Sequence, residues 1–172
     1  MNKFLSVIVF LFGTLVFAAD NEVYISQSGA TFNADIEQMG SGNIIGGTGS
    51  TAGSMTALDL DGATMTLDIN MIGSTNKFLG DIWADNYTGF FEFDGSSNIF
   101  NMKTDETNDN TVTYDGDGYA GGYFHLTHDG GSRTFNIDQA STIDNDWLKV
   151  ESTGSSGTVC INQNDQGTGV GC

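Results

Sequence analysis

The chain contains no proline, and its basic residues are few: five Lys and Arg against 22 Asp and Glu, a formal charge of −17. Without proline, punctuation falls to glycine, of which there are 24. A surface this acidic repels phosphate backbones and anionic lipid, so nucleic acid and membrane surfaces are excluded as natural partners. The same charge keeps a secreted protein soluble. Helix formers of the Ala-Leu-Glu-Lys kind are thin beyond the first residues, which argues against helix. Disorder is excluded by the 12 phenylalanines and by the alternation described below. Cysteine is nearly absent, with only Cys160 and Cys172.

Long apolar runs are missing too, except at the start. "MNKFLSVIVFLFGTLVFAAD" has one lysine, Lys3, an apolar run from Phe4, and small residues at Val16 and Ala18. This is the build of a secretory signal, with cleavage expected after Ala18. The expected organisation is therefore a signal peptide over 1–18 and a single domain over 19–172. The protein is expected to be secreted, extracellular or at the cell surface, with no membrane segment after cleavage.

What the chain does have is a repeat. In "NEVYISQSGATFNADIEQMG", Ile25-x-Gln27-x-Gly29 returns as Ile36-x-Gln38-x-Gly40. Steps of eleven from Gln27 reach Gln38, Gly49, Leu60, Met71, Ile82, Phe93 and Thr104 without a gap. Two places earlier stand Ile25, Ile36, Gly47, Leu58, Ile69, Gly80, Phe91 and Met102. Repeats at fixed interval mark a stacked architecture. Slots two apart share one face of a strand. One face carries Val, Ile, Leu, Phe and Met, with Asn, Ser or Gln at its ends. The other carries residues such as Asn33, Asp35, Glu37, Asp59, Asp68 and Glu92. The glycine slot is expected to supply the turn through positive φ. The spacing thus predicts an all-β, two-sheet β-solenoid, with about 11 residues per strand-turn unit and about 22 per coil. About thirteen strands and six to seven coils are expected. Stacked polar side chains should bond between coils. The candidates are Asn21, Gln27, Gln38, Asn43, Asn76, Asn98, Gln139 and Gln163, with Gln27 and Gln38 on the two opposed walls of the first coil.

Asn21-x5-Gln27-x-Gly29, with Asn43 further on, resembles the curlin repeat, Ser-x5-Gln-x-Gly-x4-Asn-x5-Gln and its variants. The similarity covers residues 21–45, with echoes at Arg133–Gln139 and Gly157–Gln163. Ser54 and Asn76 fill the first slot of units that have lost the Gln, and the middle of the chain carries Leu, Met, Ile and Phe there. The resemblance implies a subunit of a secreted functional-amyloid fibre of the bacterial biofilm kind, built from two-strand repeats.

Residues that carry chemistry elsewhere are sparse here. In a secreted context Cys160 and Cys172 are expected to form a disulfide, closing a tail over 160–172 and covering the last coil. His125 and His128 have a ligand-like spacing, but the register turns His125 outward and His128 inward, so no metal site is expected. "DLDG" at Asp59–Gly62 and "DGDG" at Asp115–Gly118 complete no calcium loop and are read as turns. No nucleophile motif is present, so neither an enzyme nor a cofactor is expected. An ice-binding face calls for repeated Thr-x-Thr on one side, which the spacing does not show. The outward aromatics Tyr24, Trp83, Phe90, Tyr123 and Trp147 suit sugar stacking but define no single stripe. Two functions follow. The first is a structural subunit of an extracellular fibre or surface matrix, whose partner is another copy of itself added head to tail. The alternative is a non-polymerising adhesin or virion-associated module that binds extracellular glycans, with its site in the loops near Gly116–Gly122 and Asp144–Trp147.

Overall fold

The computed structural model describes residues 21–46, 58–118, 122–141 and 146–164. The sequence assigned to a signal peptide and the tail beyond 164 lie outside the described residues. Six strands follow in order: β1 (Asn21–Val23), β2 (Ile25–Ser28), β3 (Thr31–Ile45), β4 (Leu58–Gly118), β5 (Tyr123–Ser141) and β6 (Trp147–Asn164). Every pairing between them is parallel. The strands run on around the corners, so one sheet wraps both walls of a β-solenoid of about five turns with about 22 residues per coil.

The coil length is not uniform. Asn21 lies under Asn43 at an interval of 22, whereas Asn43 lies under Asn76 at 33. The added unit, 47–57, falls outside the described residues. Because 33 is three elevens, a count by elevens passes through it unchanged and misses the insertion. Asn76 to Asn98 is again 22. The later layers widen to 24, as from Thr104 to His128 and from Gln139 to Gln163. One extra residue is taken up at an irregularity between Thr104 and Thr107.

Alternation decides what is inside. On the first wall the inward column Ile45, Phe78, Phe100, Phe124 is wholly buried. Phe78, Phe100 and Phe124 stack face to face, with centroids 5.1 and 4.6 Å apart. On the opposed wall Ile69, Phe91, Tyr114 and Ile137 fill the facing column. Phe91 meets Phe100 edge-on at 4.8 Å. Each fully buried aromatic of this kind contributes roughly 2–3 kcal/mol. Bulk is balanced by glycine: a Cβ at Gly89 would strike the Tyr87 hydroxyl and the Phe91 ring, and one at Gly80 would meet the Phe78 ring at 3.0 Å.

The repeated corner glycines have a different cause from the one their spacing implied. Positive φ occurs at Gly29, Gly46, Gly130 and Gly154 only, among the described residues. Gly62, Gly73 and Gly95 are not among them. A Cβ at Gly62 would overlap the carbonyl of Gly29, one at Gly73 that of Gly40, and one at Gly95 that of Gly73. At these corners glycine is required because successive coils approach backbone to backbone, not because the turn is left-handed.

Candidate functional site

The corner that opens each coil holds a continuous amide column. Asn21 donates through Nδ2 to Asn43 Oδ1 (3.0 Å), Asn43 to Asn76 Oδ1 (2.9 Å), and Asn76 to Asn98 Oδ1 (3.0 Å). Each amide also donates to backbone carbonyls of its corner: Asn21 to Met39, Asn43 to Ile72, Asn76 to Met71 and Asp94, Asn98 to Phe93 and Asp117. Asn43, Asn76 and Asn98 are buried. The column therefore satisfies carbonyls that the sharp corner would otherwise leave without partners.

Above Asn98 the column ends. Its next place is Gly122, whose N–H donates to the Asp146 carboxylate at 2.6 Å. Gln139 lies against it: a Cβ on Gly122 would meet its Nε2 at 2.5 Å. Gln163 donates to Gln139 Oε1 at 3.4 Å, so these two form a short amide pair. The glutamines of the first coil make no like pair. Gln38 donates to the Asn21 carbonyl at 3.1 Å, while Gln27 ends the first wall, stacked on Leu60. The Oε1 atoms of both are buried without a partner.

At the opposite corner the later coils bury a mixed cluster. Asn110 donates to His128 Nδ1 at 2.9 Å, and the Thr104 hydroxyl lies 2.9 Å from the same nitrogen. Nδ1 is thus an acceptor, which puts the ring proton of neutral His128 on Nε2. Burial, and then the Arg133 charge, hold its pKa below the usual histidine value. His125 faces outward and contacts Glu151 at 3.1 Å. The two histidines point apart. No group of three or more metal-ligating residues occurs among the described residues.

The outer surface carries two features that interval counting missed. One is a groove of about 390 Å³ lined by Ser26, Gln27, Ser28, Asp59, Asp61, Asp81 and Trp83. Trp83 donates to Asp81 at 3.0 Å, and the Lys103 ammonium sits 5.1 Å from its ring centroid. Burial raises the Asp81 pKa against the lowering effect of Lys103. The other is a file of hydroxyls on the second wall, where Asn33 is followed by Thr66, and Thr111, Thr134 and Thr158 stack in register. It widens to two threonines at Thr64 and Thr66 and at Thr111 and Thr113, so Thr-x-Thr does occur on this wall, contrary to the sequence expectation, and it narrows to one where Asp109, Ser132 and Ser156 flank it. Coil lengths that drift between 22 and 24 hid it from a fixed count. Along the edge nearer the corner, Asp115 faces Asp138. Burial, and then their carboxylate neighbours, raise the pKa values of Asp115 and Asp117. Of the outward aromatics, Tyr123 and Trp147 stack at 4.4 Å and 5°. Trp83 lies in another column and Phe90 on the other wall, so they make one pair and no stripe.

The two ends differ from the body. In the last coil Val159 and Ile161 occupy inward slots, over Phe135 and Ile137. They remain 42% and 45% exposed. The tail beyond 164, which was expected to cover this wall, lies outside the described residues. At the other end Val23, Ile25, Phe32, Ala34 and Ile36 are only partly buried. Cys160 is half-buried on β6, and no described cysteine is free. Cys172 lies outside the described residues.

The chain was compared with family models, curated proteins and solved structures, and it matches none of them.

Proposed function

We propose that the chain is a structural subunit of a secreted extracellular fibre or surface matrix, assembling head to tail through the end strands of the solenoid. The observation that carries this reading is the pair of open ends. Among the described residues, no strand pairs beyond β1–β3 at one end or β6 at the other, and the apolar slots there are only partly buried, whereas the same slots between them are buried. Open edges of this kind template the addition of another strand. Because the two ends are different surfaces, the contact is heterologous and does not close. The acidic outer walls keep neighbouring stacks apart, which favours growth along the axis over side-to-side clumping. No helix among the described residues is long and apolar enough to cross a membrane. The curlin-like spacing of residues 21–45 agrees with a fibre role, as does an apolar leader that sends the chain out of the cell.

Electron microscopy of the chain from Ala19 onward tests the reading. Unbranched fibres growing with protein concentration are expected. Persistent monomers at high concentration, with no fibres and no thioflavin response, overturn it. Cys160 and Cys172 are proposed to form a disulfide that staples the tail to β6, a link that contributes about 3 kcal/mol when unstrained. Thiol titration of the denatured chain with and without reductant checks it.

A second reading, a glycan-binding module on a rigid solenoid, is favoured by one observation: the stacked Tyr123–Trp147 pair is an exposed aromatic platform. A glycan array with monomer separates the two readings. Specific binding that is lost on Trp147→Ala supports the module.

A further inference from the structure

The stack of columns fixes which residue of the last coil lies above which residue of the first. On the first wall Gln27 is followed by Leu60, and Thr104 by His128 and Ser152. The buried Ile82 fills the step between Leu60 and Thr104. On the second wall Ile36 is followed by Ile69, and Tyr114 by Ile137 and Ile161. Ser152 therefore belongs to the column of Gln27, and Ile161 to that of Ile36.

The interval from first coil to last is the same on both walls, although the coils between them pass through an irregularity. The corner that joins the walls explains this. It is built alike at both ends, with Gly29 at φ 159° and Gly154 at φ 156° in corresponding places. A last coil laid on a first coil would thus match along both walls with no bulge between them.

The side chains brought together by that match are complementary in three ways. First, the apolar slots meet: Val150 over Ile25, Val159 over Ala34, Ile161 over Ile36. Second, the buried atoms left without partners at the ends fall opposite groups that serve them. Gln27 Oε1 and Ser152 Oγ are both buried within their own chain and both lack a hydrogen-bond partner, so pairing across the joint turns each side chain toward the end face. One accepts, the other donates, and they share a column. Gln38 Oε1 also lacks a partner. It falls opposite Gln163, whose amide gives one N–H to Gln139 and has a second to give. Third, carboxylates avoid each other. Within the chain Asp35 faces Asp68 and Asp115 faces Asp138. Across the joint Asp35 falls opposite Cys160, Glu37 opposite Asn162, and Glu151 opposite Ser26.

We infer that the last coil of one chain receives the first coil of a second copy in one register, with Ser152 on Gln27 and Gln163 on Gln38. This rests on the head-to-tail reading and goes further, because it says which residues meet and why no other sliding position serves. A shift by one residue turns every apolar slot outward. A shift by two keeps the faces but leaves the Gln27 and Ser152 orphans unpaired.

The test is cysteine cross-linking in assembling protein. Stacked residues in this register have Cα atoms about 4.8 Å apart, within reach of a disulfide. The pair Ser28→Cys with Thr153→Cys should give an oligomer ladder on a non-reducing gel, and peptide mapping should find the 28–153 link. The pair Ser28→Cys with Glu151→Cys, one slot out of register, should give none. Asn33→Cys with Thr158→Cys repeats the test on the other wall and covers a failure of the first pair to fold. Fibres that cross-link only through the shifted pair overturn the register and leave the fibre reading standing. Wild-type chain that forms no fibres by electron microscopy overturns both. A mutational arm uses the orphans. Gln27→Leu and Ser152→Ala should each slow assembly, and the double variant should recover, because removing both polar partners leaves nothing unpaired. Equal assembly of singles and double contradicts the pairing.

Discussion

The two corners of the solenoid solve one problem in different ways. At the corner that opens each coil, the first four layers repeat a single residue, and each asparagine serves both its neighbour and the carbonyls of its own corner. The opposite corner is apolar in the second and third layers, filled by Leu60 and Met65 and then by Ile82 and Tyr87, while the first layer places Gln27 there. Near Thr104 the roles exchange. Gly122 ends the asparagine column, while Thr104, Asn110 and His128 bring polar groups to the corner that had been apolar. The exchange coincides with the lengthening of the coil to 24 residues. A repeated column needs repeated geometry. Once the coil length changes, each layer must satisfy its corner with whatever side chain reaches.

The comparison breaks most sharply at Asn76. Asn76→Leu removes the acceptor for Asn43, the donor to Asn98, and the donor to the Met71 and Asp94 carbonyls. Leaving one buried polar group unpaired costs about 1–3 kcal/mol, so a loss of about 4 kcal/mol is expected in urea unfolding. Gln139→Leu in the later coils interrupts a single long bond and should cost about 1 kcal/mol. Next comes Gly73→Ala, which forces a methyl against the Gly40 carbonyl. A loss of about 2 kcal/mol is expected from such overpacking, and because the neighbour is backbone, no compensating rotamer exists.

Smaller effects follow pH. His128 has a depressed pKa in the folded chain, so protonation is easier in the unfolded chain. The stability that neutral His128 retains at neutral pH is lost as pH falls through the unfolded histidine value of about 6.5. Asp115 and Asp117 act in the opposite sense. Their raised pKa values mean that stability increases as pH falls toward the acid range and is lost again as pH rises through those values. Thermal melts from pH 7 to pH 4 should therefore dip first and then partly recover. His128→Gln should remove the dip, and Asp115→Asn with Asp117→Asn should flatten the recovery. The smallest effect is expected at Thr134→Ala, on the exposed file of the second wall, within about 0.5 kcal/mol of wild type in the same urea unfolding.

How much of this was legible in the sequence follows from the same contrast. The inward and outward slots could be assigned because alternation is strict, and the structure buries Leu58, Leu67, Phe91 and Phe100 where that alternation puts them. The asparagine column was legible because one residue recurs at a multiple of eleven. The insertion between Asn43 and Asn76 was not, since an added unit of eleven leaves the count in phase. Nor was the His128 cluster, because three different residues share one nitrogen and no repeat announces them. Drift in coil length hid how the threonines stack, but Thr64-x-Thr66 and Thr111-x-Thr113 were open to view as outward pairs and were passed over. The role of the corner glycines was misassigned for a physical reason: close approach between coils and a left-handed turn both select glycine, and only the backbone tells them apart.

Under the proposed head-to-tail assembly, one continuous parallel stack runs through the chain and across its ends. Cryo-electron microscopy of fibres grown from the chain beginning at Ala19 is the sharpest test. An unbroken layer spacing of about 4.8 Å is expected, with an axial subunit repeat of about 29 Å, five layer steps within the chain and one across the joint. Fibres whose repeat includes a gap between subunits, or whose layers stack with the ends apart, would contradict it.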